Sequence, residues 1–201
     1  MKDKPNTIIL GIDPGSRKMG FGVITVQNDR FNYLDSGVII VPLEDPESDS
    51  SHFSHRLGFI HTAIVSLITK YNPNYFAIEE VFVHKNSSSA LKLGQARGAA
   101  IVAAVNHNIQ VCEYSARLIK QAVVGKGSAD KYQIQQMVRI LLNLHYMPKT
   151  DEADALAIAI CHANSNHERL NNKLFEAEQY LNKVGSKSSK YFNKYSKGRW
   201  Q

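Results

Sequence analysis

Three apolar segments of this 201-residue sequence are ended or opened by acids. Asp13 closes Ile8-Ile9-Leu10-Gly11-Ile12, and Glu79 and Glu80 close Tyr75-Phe76-Ala77-Ile78. Asp151 and Asp154 open a helical pattern whose next residues, Ala155 to Ile160, are all apolar. Unpaired buried carboxylates are costly and clustered ones repel each other. A divalent cation relieves both problems. Mg²⁺ takes oxygen ligands, keeps some waters, and is commonly held by one or two carboxylates plus phosphate oxygens. Two such ions can activate water and stabilise the leaving oxygen in phosphodiester hydrolysis.

Geometry narrows the set. Residues three apart on a helix share a face, so Asp151 and Asp154 point together. Strand alternation sends Glu79 and Glu80 to opposite sides, so at most one of them joins the cluster. Each acid also has a plainer reading. Asp13-Pro14-Gly15 is an ordinary turn tripeptide, and Asp151 suits a helix N-terminus. Sequence alone does not show that the three segments converge.

The elements that must position these acids follow from hydrophobic periodicity. Residues 8–13, 20–26 and 31–41 read as strands joined by short turns, an antiparallel meander. The acidic stretch Pro42 to Ser51 reads as a loop. From Phe53 through Leu57, Ile60, Ile64, Leu67, Ile68 and Tyr71 the spacing turns helical, and Asn72-Pro73-Asn74 ends it. Strands are expected at 75–80 and 109–113, and helices at 88–107, 116–124, 129–144 and 151–163. The order βββ-α-β-α-β-α describes an α/β fold, a mixed sheet flanked by helices. We place the domain at 1–166 and a basic extension, expected to be partly disordered, at 167–201.

Composition excludes several classes. The apolar content of 43% is that of a globular protein. No apolar run reaches the roughly 18 residues of a membrane span. Asp3 and Pro5 make the start a poor secretory signal, so a cytoplasmic location is expected, with Cys112 and Cys161 reduced. His52, His55 and His61 lack the partners of a zinc spacing, and no Walker A, GxSxG or Cys–His signature is present. The net charge of +6 comes from residues 169–201, with 8 basic against 2 acidic residues. Residues 70–139 are also basic, with 9 against 4, which favours a polyanionic partner such as nucleic acid.

Four segments carry a resemblance: IILGIDPG (Ile8–Gly15), YFAIEEVF (Tyr75–Phe82), ALKLGQARG (Ala90–Gly98) and DEADALAIAI (Asp151–Ile160). Together, in this order, they closely resemble the RuvC family of Holliday-junction resolvases, in register from about Ile8 to Ala163. The resemblance implies an RNase H-like fold of the retroviral-integrase superfamily. It implies a homodimer that resolves four-way DNA junctions in recombination and repair by paired symmetric nicks. It also implies two Mg²⁺ per site, Mn²⁺ as substitute, and the RuvAB branch-migration complex as partner. By matching position, Asp13, Glu79, Asp151 and Asp154 are the catalytic, metal-binding acids. Glu79 is thereby chosen over Glu80, which stands where the family commonly has Gln and is expected to face away.

Phe82 matches an aromatic near the junction centre, placed to stack on an unpaired base, and Lys120 and Lys131 match basic residues near the scissile phosphates. Lys85, Arg97 and Lys126 are expected phosphate contacts by charge and placement, against a reading as solvated surface. The mechanism expected is in-line attack of water, leaving 3′-hydroxyl and 5′-phosphate ends. Alternatives are a catalytically inactive junction-binding module and an RNase H-like nuclease with another nucleic-acid substrate. An ATP-using fold of the actin type would need a second lobe and phosphate loop, for which this length leaves no room.

Overall fold

The computed structural model describes residues 6–28, 30–42, 53–81 and 87–165. Two units divide the chain, Met1–Ala163 and Asn164–Gln201. The elements of the first are β1 (Thr7–Asp13), β2 (Lys18–Gln27), β3 (Arg30–Ile40), α1 (Phe53–Tyr71), β4 (Tyr75–Glu79), α2 (Ser87–Asn106), β5 (Gln110–Tyr114), α3 (Ala116–Val124) and α4 (Lys131–Leu141). A last helix, α5, begins at residue 150 and runs through 165. The expected basic extension after 166, with Phe82 and Lys85, lies outside the described residues.

One sheet runs in the order β3-β2-β1-β4-β5. The β1–β2 and β2–β3 pairs are antiparallel, as the short turns require, whereas β4 joins β1 and β5 joins β4 in parallel through helical crossovers. The result is the expected mixed sheet.

Alternation along β1 sorts the two cores. Leu10 and Ile12 face α1 and α2, packing with Ile60, Ile64, Ile68, Ala96, Ala100 and Phe76. Ile9 faces the other way, onto Ile119, Ile134, Leu156, Ile158 and Ile160 of α3, α4 and α5. Within that second core the buried His162 is not left unsatisfied. Its Nδ1 lies 2.7 Å from the Tyr114 hydroxyl, and its ring packs tilted against Tyr75, centroids 4.5 Å apart. This ties α5 to β4 and β5.

The helix expected at 129–144 is shorter at both ends. Asp130 accepts from the Gln133 N–H while the Gln133 side chain accepts from the Asp130 N–H, a capping box that starts α4 at 131. At the other end Asn143 takes a left-handed conformation, φ 50°, just past the end of α4.

Candidate active site

Asp13 and Glu79 are the last residues of neighbouring parallel strands. Ile12 pairs with Ile78, so the two acids emerge side by side at the C-terminal ends of two central strands. Both share the face of Ile9, Tyr75 and Ala77, beneath α5. The turn after Asp13 is held from outside: the Arg56 guanidinium donates to the main-chain oxygen of Ser16 while lying over the Phe53 ring.

The first turn of α5 reaches these acids because β1 and β2 are bare beneath it. A Cβ on Gly11 would lie 2.3 Å from the Ala155 oxygen, and one on Gly20 would lie 2.1 Å from the Asp151 oxygen. At Gly22 it would lie 2.8 Å from Leu156. The helix backbone therefore rests directly on the strands, carrying Asp151 and Asp154 to Asp13. Its start is fixed by Gln135, whose side-chain amide donates to the Pro148 oxygen at 2.9 Å. The Glu152 carboxylate accepts from the Lys149 N–H at 3.3 Å. These glycines were not singled out in the sequence as site residues. The signal was present, since glycine inside a strand often marks close backbone approach.

Electrostatics report the convergence. Burial, and then the charges of Asp154, Glu79 and Asp151, push the Asp13 carboxyl up to about 8, with Lys131 opposing. Glu79 is raised by burial and by Asp154, with Lys120 opposing. Asp154 is raised by burial and by Asp151, against Lys131 and Lys120. Glu79, Asp154, Lys120 and Lys131 line a cleft of about 260 Å³, whose apolar wall includes Ile119, Ile134 and Ile158. Among the described residues lining it there is no Ser, Thr, Tyr or Cys.

The donor set fits a hard divalent cation: carboxylate oxygens only, whose burial and mutual repulsion a bound cation would offset. Among the described residues no group of three His, Cys, Asp or Glu forms a ready cage. Mg²⁺ does not need one, because waters and phosphate complete its shell.

The remaining expected contacts separate. Lys120 and Lys131 stand at the cleft. Lys126 is exposed in the turn between α3 and α4, outside the cleft lining. Arg97 lies on α2, on the opposite side of the sheet from the acids, with its guanidinium bonded to the Glu79 main chain and paired with Glu113. Its described donors thus meet protein groups.

Comparison with known proteins gives the family of the chain and its fold. Residues 9–162 match the family described as "Crossover junction endodeoxyribonuclease RuvC". A relative with that name from Actinobacillus pleuropneumoniae is 49% identical over 198 residues, covering 96% of this chain and 97% of its own. One from Histophilus somni is 56% identical over 164 residues, covering 82% and 83%. The Thermus thermophilus RuvC structure superposes with a TM-score of 0.68 at 34% identity, over 78% of this chain and 93% of that one. The same Thermus protein in complex with a Holliday junction substrate gives 0.70. The fold is thus RNase H-like, and the chain belongs to the crossover junction endodeoxyribonuclease RuvC family.

Proposed function

We propose that Asp13, Glu79, Asp151 and Asp154 are the acids with which this endonuclease cuts crossover junctions, holding two Mg²⁺ per site, with Mn²⁺ able to substitute. The observation that carries this reading is the convergence of four carboxylates from three distant elements, at which Asp13 is pushed up to about 8. A site that repels its own charges this strongly lowers stability unless a cation balances it.

When bound, the cations supply the charge that makes water a nucleophile at neutral pH and neutralises the leaving oxygen. The chain's own groups do the rest. The carboxylates hold and orient the cations from the ends of β1 and β4 and the first turn of α5. Lys120 and Lys131, on the rim of the same cleft, receive the scissile phosphate. The reaction the family resemblance implies is direct attack of water, leaving 3′-hydroxyl and 5′-phosphate ends.

The substrate is a four-way DNA junction, by likeness to the Thermus RuvC solved with a Holliday junction. Phe82 stacks on an opened base, and Lys85 and Lys126 contact phosphates. Two symmetric nicks call for two sites, and α2 offers a face for a homodimer. Leu91, Val102 and Val105 are exposed along it, opposite the buried Ala96, Ala100, Ala103 and Ala104. Gly94 and Gly98 lie in the same stripe, with no atom within 4 Å of an added Cβ. The family resemblance alone supports RuvAB as partner and a cytoplasmic location. No helix among the described residues is long and apolar enough to cross a membrane.

The test incubates the protein with a mobile four-way junction and a matched linear duplex, with Mg²⁺ or with EDTA. Paired Mg²⁺-dependent nicks in the junction are expected. Tight junction binding without nicks would mean an inactive binding module, and equal cutting of the duplex a nuclease with another substrate.

A further inference from the structure

We propose that Arg97 is a positioning residue for Glu79, acting from behind the sheet. The inference rests on the reading of Glu79 as a metal-holding acid. β4 ends at Glu79, and only the Glu80 N–H beyond it still donates to β5, at the Tyr114 oxygen. The Arg97 Nε donates to that carbonyl oxygen at 3.0 Å. The other arm of the guanidinium pairs with Glu113 on β5. One rigid fork thus binds the last residue of β4 to its neighbour strand.

Placement gives the fork its function. Ala96 and Ala100 of α2 are buried in the core that contains Phe76 and Ile78, and Val111 packs against that core. Glu113, two residues after Val111, projects to the same side. Glu79 faces the other side, onto the cleft with Ile119, Ile134 and Ile158. Arg97 therefore grips the main chain of Glu79 while the carboxylate works on the far face. Its side chain is only 19% exposed, and the Nε and Nη2 contacts are both to protein. A phosphate arriving at the carboxylates would meet Lys120 and Lys131, on the acids' side of the sheet.

Holding a ligand's main chain matters because a strand terminus frays. Groups that orient metal ligands typically contribute 10–100-fold in metal affinity. Lysine carries a point charge and cannot span the Glu79 oxygen and Glu113 with one planar fork.

The test measures Mn²⁺ binding to the full chain by calorimetry, and Mg²⁺-dependent thermal stabilisation against an EDTA baseline. Arg97→Gln is expected to weaken metal binding by about tenfold. Arg97→Lys falls between it and the wild type. The salt dependence of metal-free junction binding stays unchanged. Glu113→Gln loosens the same fork without touching the Glu79 contact and is expected to weaken metal binding by less. It serves if Arg97→Gln does not fold. Unchanged metal affinity in both Arg97→Gln and Glu113→Gln overturns the inference. A salt slope reduced by about one in Arg97→Gln, with metal affinity intact, would make Arg97 a phosphate contact instead. Asp13→Asn separates the two readings. If that variant keeps the wild-type metal response, the carboxylate site itself is wrong. If it loses the response while Arg97→Gln keeps it, only the positioning role falls.

Discussion

The main-chain oxygen of Asp151 occupies the space that a side chain on Gly20 would need; a Cβ there would come within 2.1 Å of it. The obstructing atom is backbone, so the first turn of α5 must move away from β2 if Gly20 acquires a methyl group. Gly20→Ala is expected to cost about 1–3 kcal/mol in stability, the usual range for overpacking. It is expected to lower cleavage about a hundredfold, because a misplacement near 1 Å can cost that much. Single-turnover cleavage and a thermal melt check both. Wild-type cleavage in this variant would mean that the acids do not depend on the contact.

Asp13 gives a pH signature in the metal-free protein. Its carboxyl is raised from 3.8 to about 8 when folded. Below 3.8 both folded and unfolded chains carry the proton, and the contribution to stability is complete. Between 3.8 and about 8 only the folded chain keeps it, so stability falls as pH rises and is lost past the folded value. Glu79 and Asp154, also raised, act in the same direction. The melting temperature in EDTA is expected to fall across this window. Asp13→Asn flattens the fall and melts higher near its upper end, at about 2–4 °C per kcal/mol. The same variant abolishes cutting and leaves metal-free junction binding intact. An unchanged pH profile would show that Asp13 ionises normally.

Glu79 and Glu80 are neighbours with opposite expected fates. The Glu80 N–H donates to the Tyr114 oxygen at 2.9 Å, which carries the strand one residue past β4 and turns the Glu80 side chain to the side of Ile78. Glu79 lines the cleft and Glu80 does not. Glu79→Gln is expected to abolish Mg²⁺-dependent cleavage. Glu80→Gln is expected to leave cleavage within about twofold, as for a surface change worth 0.5 kcal/mol or less. Comparable losses in the two variants would place both acids at the metal.

The outer face of α2 is tested by adding bulk where nothing now touches. An added Cβ at Gly94 or Gly98 meets no atom within 4 Å. Gly94→Ala in an isolated helix stabilises by about 0.5–1 kcal/mol. Gly94→Leu is expected to leave the protomer folded and to shift sedimentation from dimer to monomer at micromolar concentration. A dimer of undiminished stability would move the interface elsewhere.

Much of this was legible locally. The 3.6-residue spacing of Phe53 to Tyr71 gave α1 its bounds, and turn residues bracketed the strands. Asp130 shows where such reading slips. Periodicity carries the pattern back to Ala129, yet the capping box sets the start at Lys131, because a polar side chain satisfies the first free N–H groups.

The sequence by itself determined which acids were available, which pair shared a helix face, and that only one of Glu79 and Glu80 could join them, since those relations follow from backbone periods. It did not bring Asp13 to Asp154. That meeting depends on parallel pairing of β1 with β4, 66 residues on, and on α5 settling over Gly11, Gly20 and Gly22, more than a hundred residues away in sequence. Arg97 is the clearest case. Charge alone offered DNA as its partner, and only tertiary packing brings its guanidinium to the Glu79 main chain and Glu113.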